Sequence, residues 1–168
     1  MNKFSNNSLM QLQTCHDDLQ KLAYEVLKTR DFAVLCGHRN QQDQDAAFNS
    51  GASQVKWPDG NHNKLPSTAF DLMPVVNGIR ITADATAIAK RLGITPSVLN
   101  LDVTKKAMVT RLVQEEREVL TYFAGLVVGI AVSLGIRLRW GGDWDGDGDL
   151  CDNKFDDLFH FELLPETA

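Results

Sequence analysis

Cysteine is scarce in this chain. Only Cys15, Cys36 and Cys151 occur, an odd number at spacings that match neither a disulfide framework nor a cysteine-based zinc site. That scarcity points to synthesis in a reducing compartment. An apolar leader is also missing: the opening MNKFSNNSLMQLQ has no hydrophobic core and no small-residue cleavage site, so no signal peptide is expected. Positive charge is in deficit, with 17 Lys and Arg against 22 Asp and Glu, a net charge of −5 and a pI near 5.3. That balance argues against a general polyanion binder, which carries a basic face. Internal repeats, linkers and low-complexity tails are absent from the sequence.

One long apolar run stands out. Residues 119–136 carry no charge and approach the lower limit of about 18 residues for a bilayer span. Gly125, Gly129 and Ser133 interrupt the run, and a helix buried on all sides within the domain accounts for it, so no membrane insertion is expected.

With 168 residues and 43% hydrophobic content, residues 1–168 fit a single domain with one real core. Thr14 is a candidate N-cap for a helix in which Leu19, Leu22, Ala23, Val26 and Leu27 form one apolar stripe ending near Thr29. Residues 31–37 read as a buried strand and 41–50 as a helix stopped by Gly51. A Gly-, Asn- and Pro-rich loop follows over 51–66, then a strand over 67–76. ATAIAKRLGITPSVLNL reads as helix, tight turn at Gly93, Thr95 as N-cap and Pro96 at the first helical position. A long helix over 105–134, a strand over 135–140, an acidic loop over 141–157 and a last strand in FHFELL complete the chain. Helices mixed with short strands predict an α+β fold, a small antiparallel sheet packed with helices.

Two separated clusters each offer one histidine and one carboxylate: His62 and Asp71 in NHNKLPSTAFD, Asp157 and His160 in DDLFHFEL. A catalytic zinc site needs three protein ligands, an open position and a nearby base. His62, Asp71 and His160 are the candidate zinc ligands, and Asp157, three residues before His160, the candidate general base. Arg39, just after the first strand, could hold a carboxylate or a developing oxyanion. Taken singly, each residue is also compatible with an ordinary loop, turn or strand position.

The blocks SLMQLQTCHDDLQKL, DFAVLCGHRNQQDQDAAFNSGASQVKWPDGNHNKLPSTAFDLMP and LGIRLRWGGDWDGDGDLCDNKFDDLFHFEL resemble, in order, the zinc peptidases that cut bacterial cell-wall peptides. That group contains D-Ala-D-Ala carboxypeptidases, and the nearest resemblance is to its phage endolysin branch of L-alanyl-D-glutamate peptidases. The resemblance implies a zinc peptidase fold with the zinc site on the sheet, Zn2+ on His62, Asp71 and His160, Asp157 as base, Arg39 at the transition state, and Gln44 as the family's glutamine at the substrate. It implies a monomer made in the host cytoplasm that hydrolyses peptidoglycan stem peptide in the periplasm once another protein has permeabilised the membrane. The chain departs from many relatives in having Gly60 for a serine and Phe159 for a proline. Residues 81–108, about, match nothing in the resemblance and read as a helical insertion.

The acidic loop begins D-x-D-x-D-G, the first half of an EF-hand calcium loop, but Lys154 stands where a bidentate glutamate is expected. Asp143, Asp145, Asp147 and Asp149 are therefore candidates for a partial Ca2+ site. A helix-turn-helix DNA-binding protein is the alternative from another class, but PSVLNL carries no basic residue and no nucleic-acid partner is expected. Within the enzyme class the alternative is a D-Ala-D-Ala carboxypeptidase.

Overall fold

The computed structural model describes residues 2–165. Its elements run α1 (Asn6–Leu12), α2 (Asp17–Leu27), β1 (Phe32–Cys36), α3 (Gln41–Asn49), a 3-10 turn (Asn61–Asn63), β2 (Ala69–Val76), β3 (Ile79–Arg80), α4 (Ala85–Arg91), α5 (Pro96–Leu101), α6 (Val103–Ser133), β4 (Leu138–Gly141) and β5 (Asp157–Leu163). The strands form one sheet in the order β1-β2-β5-β4, with β3 on the far end of β2, and every pairing is antiparallel. The expected α+β class with a small antiparallel sheet is what the chain adopts.

Strand periodicity sorts the sheet into two faces. Phe70 and Leu72 of β2 and Phe161 of β5 point into the core with Phe32 and Val34 of β1. Phe70 and Phe161 meet edge to face, centroids 6.0 Å apart. Against this face lie Leu19, Leu22 and Val26 of α2 and Leu120, Phe123, Val127 and Ala131 of α6, each but the alanine contributing about 1.5–3 kcal/mol by burial. Asp71, one residue out of phase with Phe70 and Leu72, therefore faces the other way.

Two expectations are corrected. The helix expected from Thr14 begins later, capped by the His16 imidazole, which accepts from the Asp18 N–H. Thr14 sits instead in the turn after α1, a helix the sequence reading did not anticipate; its hydroxyl donates to the Gln11 carbonyl at 2.6 Å and accepts from the His38 N–H at 2.7 Å. The second half of α6 is not buried on all sides. Tyr122 and Val132 are 62% and 72% exposed, so one face of the helix meets solvent among the described residues. Among the described residues no helix is long and apolar enough to cross a membrane. The helix-turn-helix segment does form, with Gly93 at φ +69. Its Ile88, Ala89 and Ile94 pack with Val109 of α6 in a small core of their own.

Gly37 joins this scaffold to the site. Its N–H donates to the Gln11 side chain, and a Cβ there would lie 2.3 Å from the Gln11 carbonyl oxygen and 2.8 Å from Cys15 Sγ. Backbone cannot yield as a flexible side chain would, so only glycine fits. Gly37→Ala should cost at least about 2 kcal/mol of unfolding free energy in urea titration; a variant as stable as wild type would contradict this packing.

Candidate metal centre and cleft

β2 and β5 set the site. Asp71 and His160 are direct cross-strand partners, so their side chains stand side by side on the face away from the core. His62 arrives from the 3-10 turn, held by the Arg39 N–H donating to its carbonyl. His62 Nε2 lies 3.1 Å from Asp71 Oδ1 and 3.1 Å from His160 Nδ1, and His160 Nδ1 lies 3.2 Å from Asp71 Oδ1. Residues 98 positions apart in sequence are thus brought to one point.

The outer edges of the two rings decide what those three atoms are. His62 Nδ1 faces the Gly37 carbonyl at 2.6 Å, and His160 Nε2 faces Glu162 at 3.1 Å. A carbonyl and a carboxylate only accept, so in the neutral rings those nitrogens carry the hydrogens. The inner nitrogens then present lone pairs to each other and to Asp71. Three electron-rich atoms converge on a space that a cation must share. Their separations match the edge of a tetrahedron with metal–ligand bonds near 2.0–2.1 Å, about 3.3 Å. The donor set fits zinc.

Titration behaviour shows the same demand for positive charge. Burial favours neutral His62, yet the charge and hydrogen bond of Asp71 overcome it and raise its pKa to about 10. Burial would raise Asp71, but the two imidazoles hold it below the usual carboxylate range. His160 is raised in spite of burial by hydrogen bonds to Asp71 and Glu162. Asp157 moves the other way: burial, then the charge of Asp71, favours its protonated form, as suits a group that takes up a proton.

Cys36 modifies the sequence reading of the cysteines. Its sulfur lies within 4.8 Å of donor atoms of His62 and Asp71, because a bulge places Cys36 opposite Asp71 in the β1–β2 ladder. Two overlapping trios thus share His62 and Asp71. The trio with His160 is the tighter, at 3.1–3.2 Å, and Cys36 adds a further donor within 4.8 Å of the two residues they share.

A cavity of about 400 Å3 opens beside this cluster, lined by Arg39, Gln44, His62, Trp144, Asp157 and His160 among others. Asp157 reaches it through an irregularity in β5: Trp140 pairs with Phe161, but the next residue, Gly141, pairs with Asp157. That bulge sets Leu158 and Phe161 in the core and leaves Asp157 and His160 on the cavity, although residues three apart on a regular strand face opposite ways.

Arg39 donates towards Asp71 Oδ2 at 3.5 Å and Gln44 Oε1 at 3.2 Å. Gln44, the residue expected at the substrate, lines the cavity and is also hydrogen-bonded within the protein. Its NH2 donates to Ser53 Oγ and to the Val55 carbonyl, and its oxygen accepts from Arg39 and Asn63. With its amide committed inside the protein, it braces Arg39 and the 53–55 loop. Gly60 donates its N–H to Asn63 Oδ1; Asn63 in turn donates to the Arg39 carbonyl.

Sequence reasoning missed Glu162. It accepts from His160, from Asn61 at 2.6 Å and from Arg139 through Nε at 2.9 Å and a second nitrogen. Those bonds outweigh burial and lower its pKa to about 2. The signal was present: two residues after His160 on a strand, it must share the histidine's face. Trp144, also missed, lies over His160 with centroids 5.5 Å apart. In the acidic loop, Asp143, Asp145 and Asp147 come together, while the Asp149 carboxylate caps the Cys151 N–H and is not part of that group.

An α+β fold with a buried His–Asp–His cluster beside a carboxylate in a cleft has the make-up of a hydrolase with a candidate metal site. The comparisons make the family specific. The chain matches the family model described as phage L-alanyl-D-glutamate peptidase over residues 1–92, and it belongs to that family; it is a peptidase of the peptidoglycan-degrading, endolysin kind. The match reaches through α4, into the segment expected as an insertion. The L-alanyl-D-glutamate peptidase of Escherichia phage T5 is 28% identical over 152 residues, covering 89% of this chain and 87% of the relative. The crystal structure of the Serratia marcescens L-Ala D-Glu endopeptidase ChiX shares the fold, with TM-score 0.58 at 19% identity, over 98% of this chain and 90% of that one.

Glu162→Gln tests the outer support of the cluster. It should weaken zinc binding about 10–100-fold in chelator competition. In metal-free protein, the folded pKa of about 2 lies below the ordinary 4.5. The carboxylate therefore stabilises the fold above pH 4.5, an advantage lost as pH falls towards 2. The stability gap between wild type and variant should narrow over that window.

Proposed function

We propose that the chain is a zinc-dependent endopeptidase that hydrolyses the L-alanyl-D-glutamate bond of peptidoglycan stem peptide during host lysis. The observation that carries this reading is the convergence of His62 Nε2, Asp71 Oδ1 and His160 Nδ1 at 3.1–3.2 Å on a cavity that Asp157 also lines. Zinc held by these three would polarise the scissile carbonyl and make water acidic enough to attack near neutral pH.

The remaining chemistry falls to side chains of the chain itself. Asp157 takes the proton of the attacking water and passes it to the departing amine. Arg39 faces the negative charge that grows on the carbonyl oxygen. The Gly37 carbonyl and Glu162 hold the two imidazoles in the tautomers that leave their inner nitrogens free. Gln44 keeps Arg39 in place. A D-glutamyl residue is a constituent of bacterial wall peptides, not of ribosomal products, so the family's bond identifies the wall as substrate. Synthesis in the host cytoplasm, access to the periplasm after membrane permeabilisation, a monomeric state and a helical insertion within one domain complete the reading.

His160→Ala should lose both bound zinc, about one per chain in wild type, and activity on peptidoglycan. Asp157→Ala should keep the metal and lose turnover by at least about a hundredfold. Release of free D-Ala from purified stem peptide would replace the endopeptidase reading with a carboxypeptidase.

Asp143, Asp145 and Asp147 support a Ca2+ site in the loop that carries Trp144 against His160. Calcium added to chelator-treated, zinc-loaded protein should raise its melting temperature or its activity; no change in either removes calcium from the account.

A further inference from the structure

An ion pair ties the segment that leads into β5 to α6. Arg117 donates to Asp156 Oδ2 at 2.6 Å, with the two side chains only 34% and 29% exposed. Asp156 immediately precedes Asp157. We propose that Arg117 is a positioning residue: through Asp156 it holds the proton-transferring carboxylate of Asp157 against the cleft, which makes α6 a strut for catalysis. This rests on the reading of Asp157 as the base.

The surroundings show why such a strut matters. A cavity of about 340 Å3 is lined by Thr82, Asp84, Arg117, Asp156, Asp157 and Phe159. Open space therefore borders the base on the side of Arg117. On its other side the segment is tied by Trp144 Nε1, which donates to the Phe155 carbonyl at 2.7 Å, and by the bridge between Gly141 and Asp157. Both ties come from β4 and the loop after it. The bulge that aims Asp157 also removes it from the regular ladder, so its position depends on such staples.

The strut itself is well anchored. Glu116, the residue before Arg117, is 6% exposed; it accepts from the Thr82 N–H at 2.7 Å and from Arg91 of α4. Leu120, one turn on, is in the main core. Consecutive residues of α6 thus grip α4 and its entry on one side and the approach to the base on the other. Arg117 touches none of the proposed metal ligands, so its removal should disturb the base and spare the metal.

The test uses zinc-loaded full-length protein on stem peptide. Arg117→Gln and Asp156→Asn should each lower kcat about tenfold, with KM and zinc content within twofold of wild type; displacements well under 1 Å suffice for that loss. The double variant should be no worse than either single one, and Arg117→Asp combined with Asp156→Arg should recover part of kcat. Hydrogen exchange of the 155–158 amides should quicken in Arg117→Gln while that of 120–127 does not. Unchanged kcat in Arg117→Gln, where Asp157→Ala is inactive, overturns the strut. If Asp157→Ala is itself active, the base assignment fails instead, and the exchange data alone decide whether Arg117 holds the segment. Faster exchange across both regions would mean a general loss of stability and would also overturn the proposal.

Discussion

Three atoms with lone pairs cannot rest 3.1–3.2 Å apart without positive charge among them, and the cleft of this protein is organised around that constraint. The two imidazoles and the Asp71 carboxylate repel one another in their neutral and ionised forms, and burial removes the water that would screen them. Either protons or a metal ion must reside there. The raised pKa values of both histidines and the lowered one of Asp71 show that, without a metal, protons meet this demand.

Holding such a cluster requires rigid support, and the fold provides it from opposite directions. The Gly37 carbonyl fixes one ring from the end of β1, where α1 and the Thr14 turn grip the chain. Glu162 fixes the other ring from within β5, and is itself held by Asn61 and Arg139. The Asp71–His160 pairing comes directly from the β2–β5 ladder. Each donor is thus set by a different part of the structure, and the geometry survives only while those parts stay docked on the common core.

Asp157 stands apart from this rigidity. It lies at an irregular point of β5, beside a cavity on one side and the cleft on the other. Burial and the nearby Asp71 charge favour its protonated form, opposite to the behaviour of Asp71 itself. Two carboxylates of one cleft are therefore pushed in opposite directions, Asp71 towards the ionised form and Asp157 towards the protonated one, which suits the separate roles proposed for them.

Much of this was legible in the sequence. The stripe of Leu19, Leu22, Val26 and Leu27, the cap and proline at Thr95 and Pro96, and the alternation in FDLMPVV act over a few residues, so local pattern alone determines them. The convergence of His62, Asp71 and His160 was readable through the family resemblance, since their spacing alone left each compatible with an ordinary loop, turn or strand position. Tertiary structure alone decided the rest. Only packing shows that Gln44 turns inward to brace Arg39, that Cys36 lies beside the ligands, and that one face of α6 stays in water. Only the strand register brings Glu162 to the back of His160 and lets a bulge turn Asp157 towards it. Those outcomes depend on contacts between residues far apart in the chain, and no local signal encodes which distant partner a side chain will meet.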